Sequence, residues 1–247
     1  MLKEERLLKI IDILDKEKFA TVERLSELLY FSRPTIRRDL SVLEREGRIR
    51  RSHGGAILSA DTDSDVPIGF RSGRKHSEKL RMCRAAVDFV SENDVIFIDG
   101  SSTASGIAAL LRTDLNLTVV TNSLAVSELL AGKGIRTYCT GGLLIPESKA
   151  FAGSRAEAFI RSFRADVMFF SSSALSEDGI ICDWSDSETS LRRAMLECSR
   201  RKVFLCDESK FCKSAAFVLC PLSEVDTVVS DGEAMLNSEF GGEWRRV

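Results

Sequence analysis

The sequence predicts an α/β chain in two parts, a small three-helix unit ending in a hairpin and a larger domain on a largely parallel sheet. Three observations carry this. Apolar residues recur at helical spacing from Leu7 to Leu43. From Val95 onward, short apolar runs alternate with helix-like segments, the pattern of parallel α/β folds. Between the two, Ser59 to Arg74 is rich in Asp, Ser and Gly, contains Pro67 and has little periodicity, the composition of a linker. The expected boundaries are 1–57, a linker at 58–77, and 78–247.

Charge divides the chain in the same place. Residues 1–56 hold 13 Lys+Arg and 10 Asp+Glu, whereas the remainder holds 22 and 27, so a basic head precedes an acidic body within a net charge of -2. A wholly basic nucleic-acid coat is excluded. Seven scattered cysteines, never in C-x-x-C spacing, and two histidines argue against a metal site or a disulfide framework and for reduced, buried thiols. No cofactor is expected. Met1 to Asp15 mixes charged and apolar residues unlike a signal peptide, and no run approaches the roughly 18 apolar residues of a membrane span. The expectation is a soluble, cytoplasmic protein.

Leu7, Ile10, Ile11 and Leu14 form one face of a first helix ending near Lys18. Thr21 caps a second, with Val22, Leu25, Leu28 and Leu29 inward and Tyr30 and Phe31 in the turn. Ser32 caps the third. Pro34 sits in its first turn, where a missing N–H costs nothing, and Ile36, Leu40 and Leu43 supply its buried face before Gly47.

At about 100° per residue, Pro34, Arg38, Ser41 and Arg45 fall opposite that face, flanked by Thr35 and Arg37. The hairpin adds Arg48, Arg50, Arg51 and His53, so Ser32 to His53 carries seven Arg against Asp39, Glu44 and Glu46. A helix fits the DNA major groove, where Arg donates twice to guanine and clustered cations meet phosphate. Charge alone equally allows a solvated helix with arginines paired at helical spacing. Asp39 is expected to orient Arg37 or Arg38, or to cap. Gly54 and Gly55 permit either a close approach to phosphate or a plain turn.

In the second part the expected strands are Val95 to Ile98, Leu117 to Val120, Ile135 to Cys139, Val167 to Phe170, Val203 to Cys206 and Thr227 to Val229. The expected helices are Ala104 to Leu111, Ser123 to Leu130, Ala156 to Phe163 and Glu188 to Arg200. Strand order is not readable. Asp99-Gly100-Ser101-Ser102-Thr103 follows the first strand and precedes a helix, an outline of an anion cradle. Thr121-Asn122-Ser123 repeats it after the second strand, Gly141-Gly142 follows the third, and Lys210 lies past the strand ending at Cys206. Ligands collect at the carboxyl ends of such sheets, so these four segments are expected to converge.

The string from Ser32 to Leu40 (SRPTIRRDL), then Gly47, then Arg51-Ser52-His53-Gly54-Gly55-Ala56, resembles the signature of the DeoR family of bacterial regulators of sugar metabolism. The loops of the second part match that family's order, and the resemblance spans roughly Glu4 to Asp231. It implies a winged helix-turn-helix that holds double-stranded operator DNA through Ser32, Arg33, Thr35, Arg37, Arg38, Arg45, Arg51 and His53. It further implies a Rossmann-like sensor, similar in fold to ribose-5-phosphate isomerase. A phosphorylated sugar would there meet Asp99, Ser101, Ser102, Thr103, Asn122, Ser123, Gly141, Gly142 and Lys210. Ser101 departs from the Gly of many members.

The function expected is a repressor of a sugar-metabolism operon, released by its effector. A homo-oligomer, dimer or tetramer, follows because helix-turn-helix readers address paired half-sites. The alternative is an isomerase-like enzyme with a fused helical domain, which needs a carboxylate base. Here Ser171-Ser172-Ser173-Ala174-Leu175 precedes Glu177 and Asp178, which read as a loop turn before Gly179, so no catalysis is expected. Arg71 and Lys79 either clamp phosphate, pair across domains or are solvated. Trp184 lines a site or packs, and Phe169 and Phe170 are core.

Overall fold

The computed structural model describes residues 2–17, 19–46, 48–52, 55–58, 68–73, 75–233 and 240–247. They form two compact units, Met1–Lys75 and His76–Val247. Lys18, Gly47, His53, Gly54, Arg74 and most of the expected linker, 59–67, lie outside the described residues.

The first unit runs α1 (Lys3–Glu17), β1 (Phe19–Thr21), α2 (Val22–Leu29), α3 (Arg33–Arg45), β2 (Ile49–Ser52), β3 (Gly55–Leu58) and α4 (Ile68–Gly73). Leu7, Ile10, Ile11, Leu14, Leu25, Ile36, Leu40 and Leu43 make its core, as their spacing requires. Thr21 Oγ1 accepts from the Arg24 N–H at 3.1 Å and Ser32 Oγ from the Thr35 N–H at 3.4 Å, so both expected caps form. Leu28, expected inward, is surface-exposed, because it falls about 90° from the centre of the Val22, Leu25 and Leu29 stripe. The strand β1 was not expected, three residues being too few to show alternation. It joins a sheet of order β1-β3-β2. There Gly55 faces Thr21, and a Cβ on Gly55 would stand 2.3 Å from the Ala20 carbonyl oxygen. Close strand approach therefore sets this glycine. The end of the expected linker is also ordered differently: α4 buries Ile68 and seats Gly73 on Leu8 of α1.

The second unit holds α5 (His76–Ala86), β4 (Val95–Ile98), α6 (Ile107–Leu110), β5 (Thr118–Thr121), α7 (Leu124–Gly132), β6 (Arg136–Cys139), β7 (Leu143–Ile145), β8 (Ala150–Ala152) and α8 (Ser154–Arg161). It continues through β9 (Ala165–Phe170), β10 (Ala174–Leu175), β11 (Ile180–Asp183), α9 (Asp186–Glu197), β12 (Ser199–Leu205), β13 (Phe217–Pro221), β14 (Thr227–Ser230) and β15 (Glu243–Arg246). Seven strands form one parallel sheet of order β6-β5-β4-β9-β12-β14-β15. Its inner strands are apolar on both faces, whereas the edge strands β6 and β15 are largely polar. Phe97 and Phe170 enter one core while Ile96, Ile98 and Phe169 enter the other, the period of two that a doubly covered sheet demands.

The chain starts this sheet at β4, winds outward to β6, then returns across β4 to β9 and winds the other way. The order reverses between β4 and β9, the kind of switch point at whose carboxyl ends open α/β sheets bind ligands. Two expected helices change. Ala104–Gly106 is a 3-10 turn leading into a four-residue α6, too short for much of a helix dipole. The helix expected to reach Arg200 stops at Glu197, because Ser199 already pairs with Ala165 in the sheet. Five of the seven thiols are buried; Cys139 is half-buried and Cys212 exposed. Burial pushes the Cys83 thiol up to about 12.

Candidate functional site

The helix α3 presents Ser32, Arg33, Pro34, Arg37, Arg38 and Arg45 to solvent, with Thr35 half-buried. Arg37 and Arg38 have no ion-pair partner among the described residues. Arg33 lies 3.6 Å from Glu23 and Arg51 3.7 Å from Glu44, exposed pairs worth little in water. Arg45 Nε donates to the Ser41 carbonyl at 3.2 Å. Two expectations change here. Asp39 neither caps nor orients Arg37 or Arg38: it is 2% exposed and accepts from Arg6 Nε at 2.5 Å and Nη2 at 3.1 Å. Winding explains this, since residue 39 falls beside Ile36, Leu40 and Leu43. Arg48 is buried rather than part of the basic strip. His53 is outside the described residues. The exposed face thus sheds its one mid-helix acid and keeps its arginines.

In the second unit, Asp99 closes the loop after β4 on itself. Its Oδ1 accepts from the Ser101 N–H at 3.1 Å and the Ser101 hydroxyl at 2.6 Å, and Ser101 Oγ accepts from the Ala104 N–H. Asp99 and Ser101 therefore shape the loop. Ser102 accepts from Lys79 Nζ at 3.2 Å, and the buried Thr103 hydroxyl has no partner among the described residues. Asn122 adjoins this loop, its amide nitrogen 3.3 Å from where a Gly100 Cβ would stand. Ser123 is spent as the cap of α7. Gly141 and Gly142 adopt φ of 62° and 107°, and a Cβ on Gly142 would meet the Ala152 carbonyl at 2.8 Å. They follow β6 and adjoin β8, the strand that also packs on Gly100, and act through backbone shape. Lys210 Nζ reaches Ser171 Oγ at the end of β9 at 2.8 Å and Asp207 at 3.8 Å. The loops after β4, β9 and β12 thus meet across the reversal of strand order.

Sequence reading missed the residue that ties these loops together. Arg192 of α9, 6% exposed, donates from Nε to Asp99 at 2.7 Å and from Nη1 to Asp183 of β11 at 2.6 Å. Asp183 also accepts from Ser173 Oγ at 2.6 Å. Burial alone would lower the Arg192 pKa, but the carboxylates of Asp99 and Asp183 prevail and raise it. The only sequence signal was an Arg on the apolar face of α9, beside Leu191 and Met195. Lys79, read as clamping phosphate, pairing across domains or solvated, is buried in α5 and reaches this loop at Ser102.

Comparison with known proteins agrees on both units. Residues 6–62 match a DeoR-like helix-turn-helix domain and residues 74–232 the DeoR C terminal sensor domain. The chain is 35% identical to the transcriptional repressor AccR of Agrobacterium fabrum over 92% of this chain and 89% of that protein. It is 34% identical to the L-fucose operon activator of Haemophilus influenzae, over 90% and 89%. It is 31% identical to the glycerol-3-phosphate regulon repressor of Escherichia coli, over 90% and 88%. A solved ribose 5-phosphate isomerase of Methanocaldococcus jannaschii overlaps 55% of this chain and 54% of its own at 17% identity and a TM-score of 0.42, a distant likeness. Two matched domains and regulators as relatives over nine-tenths of the chain make it a DNA-binding transcriptional regulator rather than an enzyme. The chain belongs to the DeoR family.

Proposed function

We propose that this regulator represses a sugar-metabolism operon in the cytoplasm. It binds operator DNA as a dimer or tetramer and lets go when a phosphorylated sugar occupies the second unit. Residues 1–57 read DNA, 78–247 sense the effector and 58–77 join them, with α4 of the joining segment docked on α1. Arg33, Arg37, Arg38, Arg45 and Arg51, with Ser32, Thr35 and His53, hold the groove and its phosphates. Lys79, Ser102, Thr103, Asn122 and Lys210 receive the effector, while Asp99, Ser101, Ser123, Gly141 and Gly142 shape their loops.

One observation carries the DNA part. The helix α3 exposes Arg37 and Arg38 without ion-pair partners among the described residues, while its single mid-helix acid is buried and neutralised by Arg6. Repression is favoured because two of the three relatives described above are named repressors. Genomic fragments retained by the purified chain, titrated from low to high salt, test the reading. Arg38→Ala is expected to lower the salt slope by roughly one unit if it meets a phosphate, or to relax base preference by about 1–3 kcal/mol if it meets guanine. Identical binding by wild type and variant at every salt concentration removes Arg38 from the interface.

A further inference from the structure

Asn122 offers an acceptor with nothing to accept. It is 4% exposed. Its Nδ2 donates to the Phe151 carbonyl at 3.0 Å, which fixes which end of the amide is oxygen. Its Oδ1 has no hydrogen-bond partner among the described residues and would lie 3.4 Å from a Cβ on Gly100. The amide oxygen therefore faces the loop after β4. A second such oxygen stands on the segment paired with this one. Ser148, 2% exposed, has an unpartnered hydroxyl in the turn between β7 and β8. That turn is held to the β5 loop by the Phe151 N–H on the Asn122 carbonyl at 2.8 Å and the Leu124 N–H on the Lys149 carbonyl at 3.0 Å.

A buried polar atom without a partner costs about as much as a lost hydrogen bond, a cost that a ligand donor at each of these oxygens would remove. Chemistry then limits which part of the ligand. A phosphate dianion brings acceptors only and would repel Asn122 Oδ1. A hydroxyl brings the donor it needs. The cations are bound to other side chains, Lys79 to Ser102 and Lys210 to Ser171, and neither donates to Asn122 Oδ1.

We propose that the effector site has two ends, a cationic end at Lys79 and Lys210 for the phosphoryl group and a neutral end at Asn122 and Ser148 that reads a hydroxyl. The effector is then a polyol or sugar phosphate with a free hydroxyl placed to donate to Asn122. This rests on the reading of the second unit as the site of a phosphorylated sugar. Calorimetric titration of the full chain with inorganic phosphate, glycerol 3-phosphate, ribose 5-phosphate, fructose 6-phosphate and glucose 6-phosphate tests it. Asn122→Ala and Ser148→Ala are each expected to lower the ratio of organic-phosphate to inorganic-phosphate affinity about threefold to tenfold.

Ser148→Ala removes a hydroxyl with no partner, so the melting temperature without ligand stays level or rises by about 2 °C. A purely structural serine would lower it. Should Asn122→Ala fail to fold, Ser148→Ala alone decides. An unchanged affinity ratio in the folded variants, with Lys79→Met weakening every probe, overturns the two-ended site and leaves the effector reading standing. If wild type binds none of the probes, that reading falls and the inference with it.

Discussion

Arg192 shows what a single side chain can organise out of sight of the sequence. It sits in α9, far along the chain from Asp99, and only folding brings the two together with Asp183. Burial would by itself raise the Asp183 pKa. The Arg192 charge, the Ser173 hydroxyl, the Trp184 N–H and Lys210 outweigh it and hold the carboxyl below its usual range. A folded pKa below the unfolded value contributes stability that is present above the unfolded pKa, about 3.9, and is lost as pH falls through the folded one. Asp183→Asn is therefore expected to destabilise the second unit at pH 7, with the gap to wild type narrowing below about pH 4. Urea melts at pH 7 and pH 3.5 measure it, and a gap constant across that range refutes the argument. Asp99 and Ser101 were legible as members of a loop but not as its internal braces, because hydrogen-bond direction is invisible in a sequence.

Among the elements, α3 was read most completely. Ser32, Pro34, Ile36, Leu40 and Leu43 fix its start and its buried face through local rules alone. Asp39 was misread because its partner comes from α1, 33 positions away. That pair clamps α1 to α3, with the Arg6 guanidinium also 4.6 Å from the Phe31 ring centroid. Removing one member of a buried ion pair strands the other, at about 3–5 kcal/mol. Asp39→Ala should thus unfold or loosen the first unit and abolish DNA binding together with its helical circular dichroism. Arg38→Ala should weaken binding with the melting curve intact. Retention of wild-type melting by Asp39→Ala would show the clamp to be dispensable. The short strands β1, β7, β8 and β10 escaped notice for one reason: two or three residues carry too little pattern to separate strand from loop.

For the whole molecule, a regulator needs an effector that distinguishes the DNA-competent state from the free one by a few kcal/mol, since equal affinity shifts nothing. Lys210 is the cation that the strand reversal brings to the ends of β9 and β12. Lys210→Met is expected to lose the stabilisation that a sugar phosphate gives the wild type, about 2.7 kcal/mol at a hundredfold excess over Kd, and with it release from DNA. A thermal-shift series paired with anisotropy on the same operator checks both, and a variant that still dissociates at wild-type effector concentration excludes Lys210. By itself the sequence determined the two-part plan, the basic α3, the strands β4, β5 and β9, and the loops at their ends. All of these rest on interactions within a few residues, which periodicity, caps and charge record directly. Tertiary structure alone decided that Asp39 turns inward, that the sheet reverses between β4 and β9, and that Arg192 and Lys79 join the loop Asp99 begins. Those outcomes depend on which distant segments share a low-dielectric interior. There a charge must find its partner or not be buried at all.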